Sequence, residues 1–450
     1  MSVGVVWHQT DLRTEWNPAL SEAIKENDFI VPLFILDEGF GAASLWWLKK
    51  SLESLARTYK NYENTLVFRK GDTLSILEEV FRSTSASKIY FNIRYTPTSL
   101  SIQKKAFDQF PCALYLGNHL VNPKEILTKE GKPYSVFTPF YKACLKEIQI
   151  PRKPTLPKKI PGIKDLKSDL FPKEQQWMKK FEKHWTPGRE GGLISLKSFV
   201  KSPLKKYAID RDFPAVQGTS RLSPHLHFGE LSPPEIWLAA QSNDSFTRQL
   251  IWREFGTYFL YHNPDAEKNN WNQKFNEFQW ENNVKIFEKW AHGKTGYPIV
   301  DAAMRQLWET GWMHNRLRMI VASFLVKDLL IDWKMGERWF WDTLVDADLG
   351  NNILGWQWTA GCGPDAAPYF RVFNPVLQGQ KFDPDGKFVR QYVPELSNLP
   401  TKWIHCPWEA SNEVLQEANI ELGKTYPKPL VDHQIARKEA LKRFEKIKGR

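Results

Sequence analysis

Cysteine is scarce: Cys112, Cys144, Cys362 and Cys406 are the only four in 450 residues. They lie far apart, with no Cys-x-x-Cys or Cys/His spacing, so neither a disulfide framework nor a zinc site is indicated and no metal is expected. Long apolar runs are missing as well. Nothing is long and apolar enough to cross a bilayer, and the N-terminus has no signal-peptide character, which points to a soluble, cytoplasmic protein without a membrane partner. There is no internal repeat or low-complexity tract, which sets solenoids and repeat arrays aside. A Gly-x-Gly-x-x-Gly fingerprint does not follow the first apolar run, so the usual dinucleotide turn is absent.

Acidic residues fall short of basic ones, 51 against 62, for a net charge of +11. The surplus is local. Residues 142–183 hold twelve Lys/Arg against five Asp/Glu, and residues 437–450 hold seven against two, which leaves the rest of the chain slightly acidic. Gross basicity therefore belongs to a connector and a tail, and any specific contact with nucleic-acid phosphates must come from individually placed arginines.

At this length two domains are expected. The first 130 residues alternate short apolar runs (VGVVWH from Val3, FIVPLFIL from Phe29, TLVFRK from Thr65, KIYFN from Lys88, ALYLG from Ala113) with segments of helical period. That alternation predicts an α/β domain with a doubly wound parallel sheet. Residues 131–176 are assigned to a connector, extended from Ile148 onward where Pro and Lys dominate. From Trp177 to the end the periodicity is almost wholly helical.

Tryptophan is abundant: there are 20, twelve of them between Trp237 and Trp358. Several sit beside polar groups. On a helix Gln249, Trp252 and Arg253 share one face, so an amide, a flat ring and a fixed cation line one wall. Asn315, Met319 and Ser323 form a second stripe, with Arg316 and Arg318 on the neighbouring faces. The run GTSRLSPHLHFGELSP, 218–233, gathers hydroxyls, one arginine and turn residues ahead of an apolar helix, an arrangement that suits a pyrophosphate and equally suits ordinary helix capping.

Together these segments resemble the photolyase and cryptochrome family of flavoproteins, and most closely its class I cyclobutane pyrimidine dimer (CPD) DNA photolyases. TSRLSPHLHFGELSP, QLIWREF, GKTGYPIVDAAMRQLWETGWMHNRLRMIVASFLVKDLLIDW, WQWTAGCGPDAAPYFRVFNPVLQGQKFDPDG and VRQYVPEL are similar to its flavin domain almost without a break. WHQTDLR at 7–13, with NPAL at 17–20, is similar to its N-terminal signature more loosely. The resemblance implies an antenna domain over 1–130, a linker over 131–176 and a helical FAD-binding domain over 177–450.

By position it implies flavin and phosphate contacts at Tyr207, Thr219, Ser220, Arg221, Leu222 and Ser223. Arg253, Asp346 and Asp348 match further flavin-side residues, with Arg318 as the salt-bridge partner of Asp346. Asn352 matches the residue facing flavin N5, asparagine in the repair enzymes and acidic in many plant cryptochromes. Trp356, Trp333 and Trp280 match an electron-transfer chain running outward to solvent. Trp252 and Trp358 match the walls that receive a flipped-out pyrimidine dimer, while Gln249, Asn315 and Met319 match its remaining contacts. Arg211, Arg316 and Arg371 match phosphate-binding positions. The implied activity is light-driven repair of UV-damaged DNA by a monomer that carries FAD and needs no obligate protein partner.

The pattern departs at two places. CPD photolyases usually carry glutamate where this chain has Gln249; glutamine is familiar there in (6-4) photolyases and animal cryptochromes. Those (6-4) enzymes, however, have histidines where this chain has Asn315 and Met319. Folate-binding relatives present an Asn-Glu pair where Thr98 and Ser99 stand here, so the second, antenna chromophore is left open between a deazaflavin, a folate bound differently and none. The iron–sulfur branch needs four clustered cysteines in the flavin domain, and only Cys362 and Cys406 lie there. The alternative readings are a cryptochrome-like photoreceptor, for which the residues after DHQIARKEALKRFEKI leave little room for a signalling tail, a (6-4) photolyase, and a nucleic-acid-binding flavoprotein without photochemistry.

Overall fold

All residues of the computed structural model are described here except Glu38, Ala367, Phe370, Gly449 and Arg450. The apolar runs of the first segment are strands: β1 (Val3–His8), β2 (Phe29–Leu36), β3 (Val67–Lys70), β4 (Lys88–Asn92) and β5 (Cys112–Tyr115). They form one parallel sheet in the order β3-β2-β1-β4-β5, with Val3 opposite Phe29 and Gly4 opposite Lys88. Strands of a parallel sheet are covered on both faces by their crossover helices, which is why β1, β2 and β4 read as unbroken apolar runs rather than as alternating ones. The crossovers are α1 (Pro18–Glu26), α2 (Ala42–Asn61), α3 (Thr73–Ser83) and α4 (Pro97–Gln109).

The strand order reverses between β1 and β4, where doubly wound sheets commonly bind a ligand beyond the strand ends. Here the WHQTDLR signature fills that place with its own side chains. Asp11 accepts from the Asn92 side chain at 2.6 Å, the Asn17 side chain at 3.0 Å and the Gln9 amide at 2.7 Å. Arg13, also buried, donates to Asn118 and to the carbonyls of Gly117 and Gly229.

The 131–176 connector is not uniform. Residues 148–175 contain no helix, but α5 (Phe137–Glu147) lies within the stretch and packs Phe140 against Phe255 and Tyr258. Beyond it come α6 (Arg189–Lys201), α7 (Pro203–Asp210), α8 (Ser223–His227), α9 (Pro233–Ala240) and α10 (Asp244–His262). Then follow α11 (Val284–Ala291), α12 (Pro298–Thr310), α13 (Asn315–Ser323), α14 (Trp333–Thr343), α15 (Leu349–Ala360), α16 (Pro375–Phe382), α17 (Lys387–Tyr392), α18 (Asn412–Glu417) and α19 (His433–Lys448). Boundary chemistry is visible in α12, which Pro298 opens and Gly311 closes in the left-handed conformation at φ 67°. Among the described residues no helix is long and apolar enough to cross a membrane.

Compactness divides the chain differently from composition. One unit comprises Met1–Lys205, Ser220–Pro264 and Val345–Gly350; the other comprises Lys206–Thr219, Asp265–Leu344 and Asn351–Arg450. The first unit takes in α6 and α10 because α6 packs on α2 and α10 packs on α5.

Candidate functional site

In the first unit the hydroxyl-rich run turns sharply at Arg221, whose φ of 51° lies in the left-handed region. Ser220 Oγ accepts the Leu222 amide at 3.3 Å, and the Arg221 guanidinium lies 4.1 Å from the centre of the Trp185 ring. Leu222 is buried and Ser223, the first residue of α8, is exposed. The far end of the run is anchored by Glu230, which is fully buried and accepts from the Trp47 indole, the Ser51 hydroxyl and the Gly188 amide. His227 Nδ1 lies 3.7 Å from Asp348, and its Nε2 is buried without a hydrogen-bond partner. Such an orphaned ring nitrogen is uncommon in a finished interior and fits a polar ligand beside it.

Helix α10 presents Gln249, Trp252 and Arg253 as the sequence predicts, all three partly exposed. Arg253 is pinned by the Asn118 carbonyl at 3.0 Å and by Glu254 at 3.1 Å, and Glu254 is in turn held by His119. Gln249 Nε2 donates to the Ser245 carbonyl one turn back at 3.3 Å. Behind Trp252 lies a residue that no local pattern pointed to: Phe137 of α5 stacks flat on the indole, with centroids 3.7 Å apart and planes 5° from parallel. A ring packed this closely fixes the indole plane.

In the second unit Asn315 is exposed, Met319 is partly buried one turn on, and the Asn315 amide points to the Met319 sulfur at 3.9 Å. His314 caps α13 by accepting the Arg316 amide, and burial pushes its imidazole down to about 4, so it is neutral at physiological pH. The three predicted phosphate arginines differ. Arg371 is exposed, Arg211 lies over the Tyr207 ring, and Arg316 pairs with Asp212 at 2.9 Å while lying over Phe382. Arg318 donates to the Met313 carbonyl at 2.8 Å.

Two of the three predicted electron-transfer tryptophans meet at one helix, and the segment of the third is fastened just before it. Trp333 opens α14, and at Gly336, one turn on, the Trp356 ring lies so close that a Cβ there would come within 2.1 Å of it. Just before α14 the Glu281 amide donates to the Leu330 carbonyl and the Asp332 amide to the Asn282 side chain, which fastens the segment next to Trp280. Trp356 and Trp333 are buried, whereas Trp280 is partly open to solvent. Their indole nitrogens differ in the same order. That of Trp356 has no acceptor, and that of Trp333 donates to Asn270 at 2.8 Å.

Asn352 on α15 spends its amide hydrogens on Glu337, reaching Oε1 at 2.8 Å and the carbonyl at 3.1 Å. Its own oxygen is thereby turned to receive a donor. Glu337 is another partner that sequence reasoning missed. Burial pushes its carboxyl up to about 7 from an ordinary 4.5, against the opposing effect of the Asn352 bond. Because the folded value lies above the unfolded one, the carboxyl is neutral in the fold at no cost below pH 4.5. The penalty for ionising it grows as pH rises to 7. Glu337→Gln is therefore expected to raise the urea midpoint relative to wild type at pH 8 and to leave it unchanged at pH 4.5; equal effects at both would refute the assignment.

Comparison with known proteins shows which family this chain resembles. The family described as "FAD binding domain of DNA photolyase" matches residues 246–446, and that described as "DNA photolyase" matches residues 4–160. A deoxyribodipyrimidine photo-lyase of Agrobacterium fabrum is 44% identical over 99% of this chain and 98% of its own. Cryptochrome-1 of Arabidopsis thaliana is 37% identical over 95% of this chain and 68% of its own. Among solved structures a class III photolyase of Agrobacterium tumefaciens covers 100% of this chain and 98% of its own, with 43% identity and a TM-score of 0.96. Where the sequence motifs point to class I, this structural relative is class III.

Proposed function

The chain belongs to the photolyase and cryptochrome family and carries its FAD-binding domain, and on that premise we propose that it repairs cyclobutane pyrimidine dimers in DNA under light. The observation that carries this reading is the setting of Asn352. With both amide hydrogens committed to Glu337, its oxygen accepts a hydrogen bond, which is what a reduced isoalloxazine carrying N5–H requires and an oxidised one does not. When bound, FAD supplies the light-absorbing electron donor. Tyr207, Thr219, Ser220, Arg221, Leu222 and Ser223 would hold its phosphates and ribityl chain, and Arg253, Asp346, Asp348 and Asn352 its flavin side.

The flipped dimer would pack against Trp252 and Trp358, with Asn315, Met319 and Gln249 at its polar edges. Neither Asn315 nor Met319 can deliver a proton as a histidine would, which favours a cyclobutane dimer over a (6-4) photoproduct. Arg211, Arg316 and Arg371 would meet the strand phosphates, and Arg316 would exchange Asp212 for phosphate as it does so. Electrons that restore the reduced cofactor would enter through Trp280, Trp333 and Trp356. The buried Trp356 nitrogen has no acceptor for its proton, so a positive hole there stays mobile; at Trp280 water can take the proton and end the transfer. A second chromophore in the 1–130 domain, folate or deazaflavin, would only add light-gathering, and the protein acts as a cytoplasmic monomer.

The test is illumination of the reduced protein with UV-damaged oligothymidine while thymine absorbance is followed, with a dark control and a (6-4) substrate alongside. Recovery only with the cyclobutane substrate is the expected result, and no recovery would overturn the proposal. Gln249→Glu is expected to preserve or raise the quantum yield, because a protonated carboxyl can donate a proton toward the negative charge on the opened lesion, which an amide cannot. A collapse of repair in that variant would overturn the reading of the pocket in which a carboxyl can take over the role of the Gln249 amide.

A further inference from the structure

Both sequence neighbours of Trp280 are held by one side chain of the last helix. Arg443 on α19 donates from Nη1 to the Gln279 carbonyl at 2.6 Å and pairs through Nη2 with the Glu281 carboxylate. Its Nε meets Glu439, one turn back on α19, at 2.9 Å, so each of the three guanidinium nitrogens is engaged, and the side chain is only 15% exposed. A planar guanidinium held at three points is a rigid clamp rather than a screened surface charge.

The next residue strengthens the attachment. Phe444 stacks on Tyr369 with centroids 4.5 Å apart and planes 15° from parallel, and it lies 5.9 Å from Phe275. Tyr369 also meets Phe278, which in turn lies 4.4 Å from Trp280. Helix α19 thus grips the Trp280 segment by its backbone on one side and by an aromatic shelf on the other. The basic tail, which holds seven Lys/Arg against two Asp/Glu over residues 437–450, has a specific task for at least one of its arginines.

We propose that Arg443 is a positioning residue for the electron path: it fixes Trp280 at the solvent end of the chain and holds the Glu281 carboxylate beside it. Two effects follow. The ring cannot swing away from the Trp333 end of α14, and the Glu281 carboxylate is held on the residue next to the indole, where it favours positive charge arriving there. This rests on the proposed role of Trp280 as the outer donor, and the experiment separates the two ideas.

Flash photoreduction of the oxidised holoprotein, read as the yield and lifetime of the outer tryptophan radical, is compared for wild type, Arg443→Gln, Arg443→Lys, Glu281→Gln and Trp280→Phe. Alongside it, hydrogen exchange of the 279–282 amides is measured with and without FAD. Arg443→Gln is expected to lower the long-lived radical yield several-fold and to speed exchange at 279–282, while dimer repair by chemically reduced protein stays at the wild-type rate. Arg443→Lys keeps a charge without the fork and is expected to fall between the two. Should Arg443→Gln not fold, Glu281→Gln tests the same clamp from its other side, with the same expected loss. If Trp280→Phe leaves photoreduction intact, the electron-path reading itself fails. If Trp280→Phe blocks it but the Arg443 and Glu281 variants photoreduce like wild type, the positioning role is overturned.

Discussion

Trp333→Phe is expected to cut light-driven reduction of the oxidised flavin roughly 100-fold, equivalent to about 2.7 kcal/mol on the rate-limiting step, while dimer repair by chemically reduced protein continues near the wild-type rate. Phenylalanine fills most of the indole's volume but gives up an electron far less readily, so it interrupts charge movement without emptying the core. The structural cost is one buried hydrogen bond. The Asn270 oxygen loses the Trp333 indole at 2.8 Å, a penalty of about 1–3 kcal/mol for an unsatisfied buried acceptor, and the Asn270 amide keeps its bond to Asn276. Blue-light bleaching of the oxidised flavin in the presence of a thiol gives the first rate, and thymine recovery with dithionite-reduced protein gives the second. Undiminished bleaching would mean that the hole leaves Trp356 by another ring, and Trp290, 6.2 Å away, is the neighbour through which it would go.

Much of this was legible because local period and burial agree. β1, β2 and β4 stand where the apolar runs are, since a strand covered on both faces has no polar side to interrupt it. The shorter β3 and β5 differ from their runs by a residue or two at the ends. Helix α5 reads as linker by composition because Pro139 sits in its first turn and Lys142 and Lys146 lie along it, while Phe137, Phe140 and Cys144 are buried. The face shared by Gln249, Trp252 and Arg253 followed from the helical period alone. What supports that face did not, because Phe137, His119 and Glu254 reach it through tertiary packing between segments far apart in sequence. The same holds for Glu337 under Asn352, which sits on a different helix, and for Asp212, whose pairing with Arg316 no spacing rule anticipates.

Glu230→Ala is expected to cost about 3–5 kcal/mol of stability, the range for removing one partner of a buried charged network. Four donors converge on this carboxylate: the Trp47 indole at 2.9 Å, the Ser51 hydroxyl and the Gly188 amide at 2.6 Å each, and His225 on the second oxygen. They come from α2, the start of α6 and α8, so one side chain fastens three elements of the first unit. Truncation leaves every one of those donors buried and unsatisfied, and no water-filled surface lies near enough to replace the acceptor, since Glu230 is fully buried. Glu230→Gln preserves the shape and one acceptor oxygen but turns an N–H donor toward His225, and is expected to cost less than the alanine variant. Urea midpoints order the three proteins, and flavin retained after gel filtration reports on the attached segment. Since Glu230 anchors the 218–233 run, loosening it frees the turn at Arg221 and the hydroxyls of Ser220 and Ser223, so flavin loss is expected to follow the same order as stability. Stability loss with full flavin retention would detach those hydroxyls from cofactor binding, whereas a loss below about 1 kcal/mol, the size of a single ordinary hydrogen bond, would mean that the four donors find other partners when the carboxylate is gone.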